Sequence, residues 1–383
     1  LWLHLYFCLL IAGMVGISIG AIAAEGAIVP EGRARARDIG VQIGIYETGK
    51  YNAITDVAGV KVGQVTLNIG DDVRTGVTAI IPRDDIGTNK LFAASYVING
   101  NGEATGIAWM NEAGWIESPI LLTNTLSVGQ VYDGVVRYMI KHPGNFGMPI
   151  VAECYDGMLN DITGLHVTAE RTIEAIESAA DGPVAEGCVG AGTGMQCYGF
   201  KAGIGTASRV LPVEQGGYTV GVLVNANGGR RAQLRIDGVP VGQEITEFQP
   251  EWHRDGSFVI VIATDAPLVS RQLLQLARRA AFGLARTGTP STVSSGDFAI
   301  AFSTANIIPD ETEDGTFSVK MLSNNRMDAL YQAVVEATEE SIINAMTTAV
   351  TTVGKNGNTI YAIPLEQLQA IMKKYGRLVS KSD

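Results

Sequence analysis

A continuous apolar run from Phe258 to Ala263, rich in β-branched residues, is typical of a strand buried on both faces. The polar triplet Asp255-Gly256-Ser257 precedes it, and apolar residues repeat at helical spacing from Leu273 to Leu284 after it. Asp265 and Pro267 predict the N-cap and the first turn of that helix. We therefore expect a small hydroxyl residue at the mouth of a central strand.

The rest of the chain alternates between strand-like and helix-like patterns. Strands are predicted over residues 60–67, 74–82, 92–98, 149–157, 206–209, 218–224 and 297–304. Helices are predicted over residues 127–140, 168–179, 266–286, 328–353 and 364–375. The polar, irregular segment between Gly229 and Gly256 is typical of a long surface loop that is open to cleavage.

The composition predicts a globular protein with a substantial core. The chain has 383 residues, of which 46% are hydrophobic and 17% are charged. Its formal net charge of −11 argues against a nucleic-acid partner, because phosphate binding needs clustered Lys and Arg. Cys154, Cys188 and Cys197 allow at most one disulfide, and their spacing does not fit a zinc site. We expect no metal and no cofactor.

The first 24 residues predict an exported protein. The apolar run from Leu9 to Ile19 is followed by Ala21-Ile22-Ala23, an A-x-A cleavage pattern. A retained membrane anchor is the alternative, because the segment before the run carries no Lys or Arg. The run is short for a spanning helix, which favours cleavage near Ala23 or Ala24 and a periplasmic or secreted protein. The expected organisation is a signal peptide over residues 1–24, a linker over 25–38 and a single catalytic domain over 39–383.

The triplet Asp255-Gly256-Ser257 has two interpretations. Glycine and serine are ordinary turn residues. Alternatively, the Ser257 hydroxyl attacks the carbonyl of Gly256, where glycine has no Cβ to obstruct the attack. Cleavage would leave Ser257 with a free α-amine, whose pKa is about 7.7–8.0, and this amine could act as the base for its own side chain.

The other candidate nucleophile systems fit the sequence less well. After the leader the chain has three histidines, His142, His166 and His253, and no G-x-S-x-G elbow surrounds a serine. The glycine-rich stretch from Gly190 to Met195 lacks the Lys-Ser/Thr that would follow in a phosphate-binding loop, so we expect no nucleotide site there. A serine nucleophile that does not depend on histidine fits best.

Polar residues near predicted strand ends are further candidates. Glu153 lies just inside an apolar strand, where a carboxylate is costly unless it is paired, and it either faces solvent or binds a cationic group. Asn225 follows another strand and either belongs to a turn or donates an amide N–H to an oxyanion. The stretch from Asn99 to Gly106 is equally compatible with a turn and with a loop in a site.

Several of these motifs, in this order, resemble the DmpA/BapA family of L-aminopeptidase/D-amidase-esterases and β-peptidyl aminopeptidases. The resemblance runs from about Ile39 to about Tyr375 and rests on the junction with its strand and on residues 100–106, 190–195, 224–227 and 295–297. It implies an α+β fold, an αββα sandwich like that of the N-terminal nucleophile hydrolases but with different connectivity. It also implies self-cleavage between residues 256 and 257 into an α chain (25–256) and a β chain (257–383). The two chains would stay associated, commonly as a homotetramer of such pairs.

The resemblance also implies residue roles. The implied roles are nucleophile for Ser257, supporting hydroxyl and carboxylate for Ser295 and Asp297, oxyanion donor for Asn225, a further polar group near the oxyanion for Tyr155, and receptor of the substrate amino group for Glu153. The β-peptidyl members tend to carry Glu where this chain has Asp297. That difference favours the L-aminopeptidase/D-amidase members, and β-peptides remain an alternative.

The sequence thus predicts a serine aminopeptidase that releases N-terminal residues from small peptides, amides or esters through an acyl-enzyme on Ser257. Either the α-amine of Ser257 or the pair Ser295 and Asp297 would handle the proton. One alternative is an ornithine acetyltransferase-like acyl transferase, which resembles this chain in fold but uses threonine at the junction. Another is an uncleaved periplasmic binding protein without activity.

Overall fold

The computed structural model of the protein describes residues 28–142, 147–250 and 256–379. The predicted signal peptide, its cleavage point, His253 and Asp255 lie outside these ranges. Within these ranges, none of the helices combines the length and the apolar character needed to cross a bilayer.

The described residues form fourteen strands and seven α-helices, with short 3-10 turns between them. The strands are β1 (Lys61–Ile69), β2 (Val73–Ile81), β3 (Asn89–Gly100), β4 (Trp115–Ile116), β5 (Ile120–Asn124), β6 (Ile150–Cys154), β7 (Gln196–Cys197), β8 (Phe200–Lys201), β9 (Ile204–Val210), β10 (Thr219–Asn227), β11 (Ser257–Thr264), β12 (Gly296–Pro309), β13 (Thr352–Val353) and β14 (Thr359–Ile360). The helices are α1 (Ile107–Ala113), α2 (Val128–Lys141), α3 (Ala169–Glu177), α4 (Val241–Glu244), α5 (Ser270–Arg286), α6 (Met327–Thr347) and α7 (Leu365–Lys374).

Two sheets pack face to face between two layers of helices. One sheet has the order β1-β2-β5-β6 and the other has the order β4-β3-β12-β11-β10-β9. The pairs β5–β6 and β11–β12 are parallel, and the other pairs in these two sheets are antiparallel. Helices α2 and α3 cover the first sheet, and α5 and α6 cover the second. This arrangement confirms the predicted αββα sandwich.

Strand β11 lies between β10 and β12 and is buried along its whole length. Phe258, Ile260 and Ile262 face the helical layer of α5 and α6, whereas Val259 and Val261 face the other sheet. Successive side chains of a strand point to opposite faces, so a strand covered on both sides must be apolar throughout. The continuous apolar run in the sequence reflects this position.

Two predicted helix ends differ from the structure. Helix α5 begins at Ser270 with Val269 as its N-cap, and not at Asp265. The Asp265 carboxylate instead accepts the backbone N–H of Thr219 at 2.8 Å, which ties the end of β11 to β10. Helix α6 ends at Thr347 rather than at residue 353, because the β-branched residues that follow form the short strand β13.

From Arg33 onward, the predicted linker over residues 25–38 packs into the body of the protein. Ala36 is fully buried, and Arg35 forms a 2.7 Å ion pair with the buried Glu186. Arg37 pairs with Glu340 of α6 at 3.0 Å. Two of the charges that suggest a linker in the sequence, those of Arg35 and Arg37, are therefore partners of buried carboxylates.

Candidate active site

The ends of four strands meet at one edge of the six-stranded sheet. The parallel pairing of β11 and β12 places Phe258 opposite Asp297, and the antiparallel pairing of β10 and β11 places Asn227 opposite Ser257. Gly296 in turn lies opposite Gly100 at the end of β3. Sheet register thus brings residues of the predicted junction beside residues 295–297, which lie 39 positions further along the chain.

The peptide bond between Gly256 and Ser257 is held from both sides. The Ser295 hydroxyl donates a hydrogen bond to the carbonyl oxygen of Gly256. The backbone N–H of Gly296 donates to the Ser257 hydroxyl oxygen at 3.2 Å. Ser295 and Gly296 therefore contact the carbonyl and the hydroxyl that a self-cleavage reaction would join. The next residue, Asp297, contacts Ser295.

The carboxyl group of Asp297 supports this arrangement through contacts with Ser295, Phe258 and Ser291. Its Oδ1 lies 2.7 Å from the Ser295 hydroxyl oxygen and accepts the backbone N–H of Phe258 at 2.9 Å. Its Oδ2 accepts a hydrogen bond from the hydroxyl of Ser291. Burial raises the pKa of Asp297, and the hydrogen bonds that its carboxylate accepts from Ser291 and Phe258 offset part of that rise.

Ser291 was not predicted as a residue of the site. It has a φ of +56°, a left-handed conformation that is uncommon for serine, and its hydroxyl points toward Asp297 on β12. The Ser-, Thr- and Gly-rich composition of residues 287–296 indicates a loop, but it does not indicate which hydroxyl contacts a carboxylate. The contact depends on how this loop folds back on the strand that follows it.

Gly256 is required by its contact with β10. A Cβ at this position would lie 1.8 Å from the backbone oxygen of Asn227, a contact that no side chain can make without moving a strand. Gly296 is similarly close to the site, since a Cβ there would lie 3.0 Å from the Ser257 hydroxyl oxygen. Glycine at the junction therefore allows the close approach of two backbones, in addition to leaving the carbonyl accessible.

Glu153 lies at the end of β6, in the other sheet, and is only 3% exposed. Its carboxylate accepts the backbone N–H of Glu103 at 3.2 Å and the hydroxyl of Thr125. Burial raises its pKa, and these two hydrogen bonds partly counteract the rise. Among the described residues no salt bridge to Glu153 is present, so its negative charge is available to a cationic group of a ligand.

Glu153 faces the junction across a glycine. A Cβ on Gly102 would lie 2.7 Å from Glu153 Oε1 and 3.2 Å from the Cα of Gly296. Asn101, its neighbour, donates its backbone N–H to the Ser295 carbonyl at 3.2 Å. Of the two interpretations of residues 99–106, the structure supports a loop in the site, located between the carboxylate and the junction.

Asn225 lies within β10, opposite Val259, and not in a turn after the strand. Its side-chain amide is fully buried and has no hydrogen-bond partner among the described residues. The structure does not join it to the Gly256 carbonyl. A buried amide without a partner is costly, and such groups are common where a ligand or a reaction intermediate supplies the missing bond.

Tyr155 and Asn227 are connected to each other. The Asn227 amide donates to the backbone carbonyl of Tyr155 at 2.9 Å, and its oxygen accepts the backbone N–H of Gln196 at 3.0 Å. Tyr155 itself is half-buried, with its hydroxyl over Gly157. Asn227 shares a strand face with Asn225 because the two lie two residues apart, and its contact with the backbone next to Glu153 was not predicted.

The described histidines take no part in the site. His142 stacks on Tyr138 near the end of α2, and His166 contacts Asp161 at 3.3 Å. A second unpredicted contact involves Cys154, whose buried thiol sulfur lies 3.4 Å from the Ser257 carbonyl oxygen and 3.6 Å from the Asn225 carbonyl oxygen, so its one hydrogen can be donated to either. Cys154, Cys188 and Cys197 are all free.

Comparison with known proteins identifies the family. The model of peptidase family S58 matches residues 52–360 of this chain. The chain is 45% identical to the beta-peptidyl aminopeptidase BapA of Sphingosinicella microcystinivorans over an alignment of 402 positions. The match covers 98% of this chain and 99% of that protein. These matches favour the predicted aminopeptidase over the acyl transferase and the binding protein.

Solved structures agree. A Burkholderia sp. beta-aminopeptidase is similar with a TM-score of 0.85 and 45% identity, covering 90% of this chain and 99% of that one. The L-aminopeptidase D-Ala-esterase/amidase of Ochrobactrum anthropi has a TM-score of 0.85 and 42% identity over the same shares of both chains, and is described as a prototype for the serine aminopeptidases with a new variant of the Ntn hydrolase fold. The chain therefore belongs to peptidase family S58.

Proposed function

We propose that this S58 aminopeptidase is made as one chain, cuts itself between Gly256 and Ser257, and then uses Ser257 to release N-terminal residues from small peptides, amides or esters. One observation carries the proposal. Ser295 contacts the carbonyl oxygen of Gly256 while Gly296 contacts the hydroxyl of Ser257, so both reacting groups of one peptide bond are held by adjacent residues.

In the self-cleavage step the Ser257 hydroxyl oxygen attacks the carbonyl carbon of Gly256. The C–N bond to Ser257 breaks, the nitrogen takes up the hydroxyl proton, and an ester joins Gly256 to the Ser257 side chain. Water then hydrolyses the ester, leaving a carboxylate on Gly256 and both a free amine and a free hydroxyl on Ser257. Ser295 stabilises the negative charge that develops on the Gly256 oxygen.

The same groups then act on an external substrate. The Ser257 hydroxyl attacks the substrate carbonyl carbon, and its proton passes through its own α-amine, or through Ser295 and Asp297, to the amine or alcohol that leaves as its bond to that carbon breaks. Water then hydrolyses the ester on Ser257, which releases the N-terminal residue as a carboxylate and restores the hydroxyl. The Asn225 amide, buried without a partner, would donate to the oxyanion, with Tyr155 nearby. Glu153 would bind the substrate ammonium through a charge-assisted hydrogen bond.

The architecture supports continued association of the two chains. Cleavage would assign β3, β9 and β10 to the α chain and β11 and β12 to the β chain, and these strands share one sheet. Strand β11 is hydrogen-bonded to β10 along eight paired positions, from Val220–Thr264 to Asn227–Ser257. Separating the chains would expose the buried faces of both.

The proposal has two further parts. Residues 1–24 guide export of the protein, and the pairs of chains assemble into a homo-oligomer.

A β-peptidyl aminopeptidase is the second candidate. It is favoured by two of the similar proteins, which are named for β-peptide or β-amino substrates and share 45% identity with this chain. Asp297, shorter by one methylene than the Glu that β-peptidyl members tend to carry, favours α-aminoacyl substrates. Rates on matched α- and β-aminoacyl p-nitroanilides of the same side chain decide between them.

The test of self-cleavage is the intact mass of the purified protein. The wild type should give two fragments that meet between Gly256 and Ser257, and Ser257→Ala should give one uncut chain without hydrolytic activity. Ser294→Ala, which removes a neighbouring hydroxyl, is the control and should be cut like the wild type. A wild type that remains a single chain would overturn the proposal.

A further inference from the structure

Arg231 follows β10 in a short 3-10 turn and is only 6% exposed. A guanidinium has five N–H donors, and all five donate to backbone carbonyl oxygens. The acceptors are Tyr198 (2.8 Å), Gly199 (2.7 Å), Ile245 (3.2 Å), Glu247 (2.6 Å) and Phe248 (3.1 Å). The side chain is thus fully committed to holding backbone, and none of its donors remains for a ligand.

Three of these acceptors lie in residues 245–248, the segment that leads to the Gly256–Ser257 bond. Phe248 has a φ of +56°, so the chain turns where Arg231 holds it. The guanidinium carbon also lies 3.3 Å from the centre of the Phe200 ring, which fixes the plane of its fork. Burial lowers the pKa of Arg231 to about 10, so the group is still cationic at neutral pH.

The other two acceptors, the carbonyls of Tyr198 and Gly199, belong to a turn that is hydrogen-bonded to the loop before β12. Tyr198 donates its backbone N–H to the Gly228 carbonyl at 2.7 Å, and its hydroxyl accepts the backbone N–H of Thr289 at 3.1 Å. The Thr289 hydroxyl oxygen accepts the N–H of Ser291 at 3.2 Å, and Ser291 contacts Asp297. One side chain therefore connects the segment before the junction with the loop that supports the carboxylate.

We propose that Arg231 is a positioning residue for self-cleavage, which fixes residues 245–248 so that the Gly256 carbonyl reaches Ser295, and which keeps this segment of the α chain in place after the cut. The inference rests on the proposed self-cleavage. Arg231 does not touch the reacting atoms, so it acts on the cut through the placement of the chain and has little effect on later turnover.

The chemistry requires arginine. A lysine ammonium is a point charge with three donors, so it cannot serve five carbonyls in one plane. Arg231→Lys keeps the charge and releases part of the 245–248 segment, and loss of alignment at a reacting centre costs up to about a hundredfold in rate. We expect self-cleavage of Arg231→Lys to be at least about tenfold slower than that of the wild type.

The control is Arg35→Lys. Arg35 is 7% exposed and donates to the carbonyls of Tyr51, Asn52 and Thr206, so it resembles Arg231 in burial and in holding backbone. It differs in its additional ion pair with Glu186, and it holds no residue of the segment before the junction. If the substitution of a buried arginine slows self-cleavage only by destabilising the protein, both variants should be slowed. If Arg231 positions the segment before the junction, Arg231→Lys alone should be slowed.

The experiment follows the uncut fraction by intact mass over time after synthesis, with the melting temperature and the hydrolysis rate per cleaved molecule. We expect slow cleavage in Arg231→Lys, hydrolysis within about twofold of the wild type once cut, and normal cleavage in Arg35→Lys. Normal cleavage of Arg231→Lys, or equal slowing in Arg35→Lys, would overturn the inference. An uncut wild type would instead refute the self-cleavage itself.

Phe200→Leu gives a second measurement if the Arg231 variants do not fold. It removes the ring beneath the guanidinium and leaves all five carbonyl acceptors in place. A slowing of cleavage with unchanged turnover per cut molecule supports the role of Arg231. Cleavage at the wild-type rate contradicts it.

Discussion

The hydroxyl of Ser295 donates its hydrogen bond to the carbonyl oxygen of Gly256, the acyl group that self-cleavage would transfer. The same hydroxyl oxygen lies 2.7 Å from Oδ1 of Asp297. A serine hydroxyl has one hydrogen, so both contacts are satisfied together only when Asp297 carries a proton. Burial, which raises the pKa of Asp297, acts in the same direction.

Ser295→Ala should leave the Gly256 carbonyl without this donor. Removal of one oxyanion donor costs about 10²–10³ in rate, so we expect the half-life of the uncut chain to lengthen by about that factor. Mass spectrometry of samples taken over hours to days measures it. Ser295→Thr, which keeps a hydroxyl, should recover part of the rate, and equal half-lives for Ser295→Ala and the wild type would contradict the role.

An acid form of Asp297 in the uncut chain predicts how self-cleavage depends on pH. A raised pKa keeps the acid form present to higher pH, and a cut that uses this form is fastest below the pKa and slows as pH rises through it. Ser291→Ala removes a donor that stabilises the carboxylate, so its rate profile should shift to higher pH. Cleavage rates of the uncut chain across a pH series measure both, and a rate that rises with pH throughout would exclude the acid form.

Gly256→Ala should abolish self-cleavage or slow it severely. The added Cβ would lie 1.8 Å from the Asn227 carbonyl oxygen, so the junction must leave its place beside β10. Gly129→Ala in α2, where a Cβ meets nothing within 4 Å, is the control and should be cut normally. The uncut fraction of both proteins decides, and efficient cutting of Gly256→Ala would contradict the close approach.

Glu153→Gln should weaken the recognition of a free amino terminus. Hydrogen bonds to charged groups contribute about 1.5–3 kcal/mol, so kcat/KM should fall about 10- to 100-fold, mainly through a higher KM. Self-cleavage, which involves no ammonium group, should proceed. Glu170→Gln on the surface of α3 is the control for loss of one negative charge. A normal KM in Glu153→Gln would remove this residue from the amine site.

Much of the fold was predictable because burial leaves a local record. The apolar run of β11 is continuous since both of its faces are covered, and this marked the central strand and placed Ser257 at its mouth. Glycine at 256 and a carboxylate inside the apolar strand β6 are costly or unusual locally, which marked them as functional candidates. The order of the motifs along the chain indicated the family, and the family implied the αββα layers.

Partners of these residues were decided by the tertiary structure alone. Asn225 was predicted at a strand end and lies inside β10, because pairing with β11 extends that strand to Asn227. Ser291 reaches Asp297 through a left-handed turn, and Arg231 reaches carbonyls on two separate segments. Asp265 bonds Thr219 across two strands instead of capping α5.

The division has one physical reason. Whether a side chain is buried depends largely on its own polarity and the period of its neighbours, so the sequence by itself determined the strands, the helices and the residues able to carry the chemistry. Which donor meets which acceptor depends on sheet register and loop path, which are properties of the whole chain. The contacts of Ser295 with Gly256, of Glu153 with Thr125 and of Arg231 with the segment before the junction therefore came from the tertiary structure.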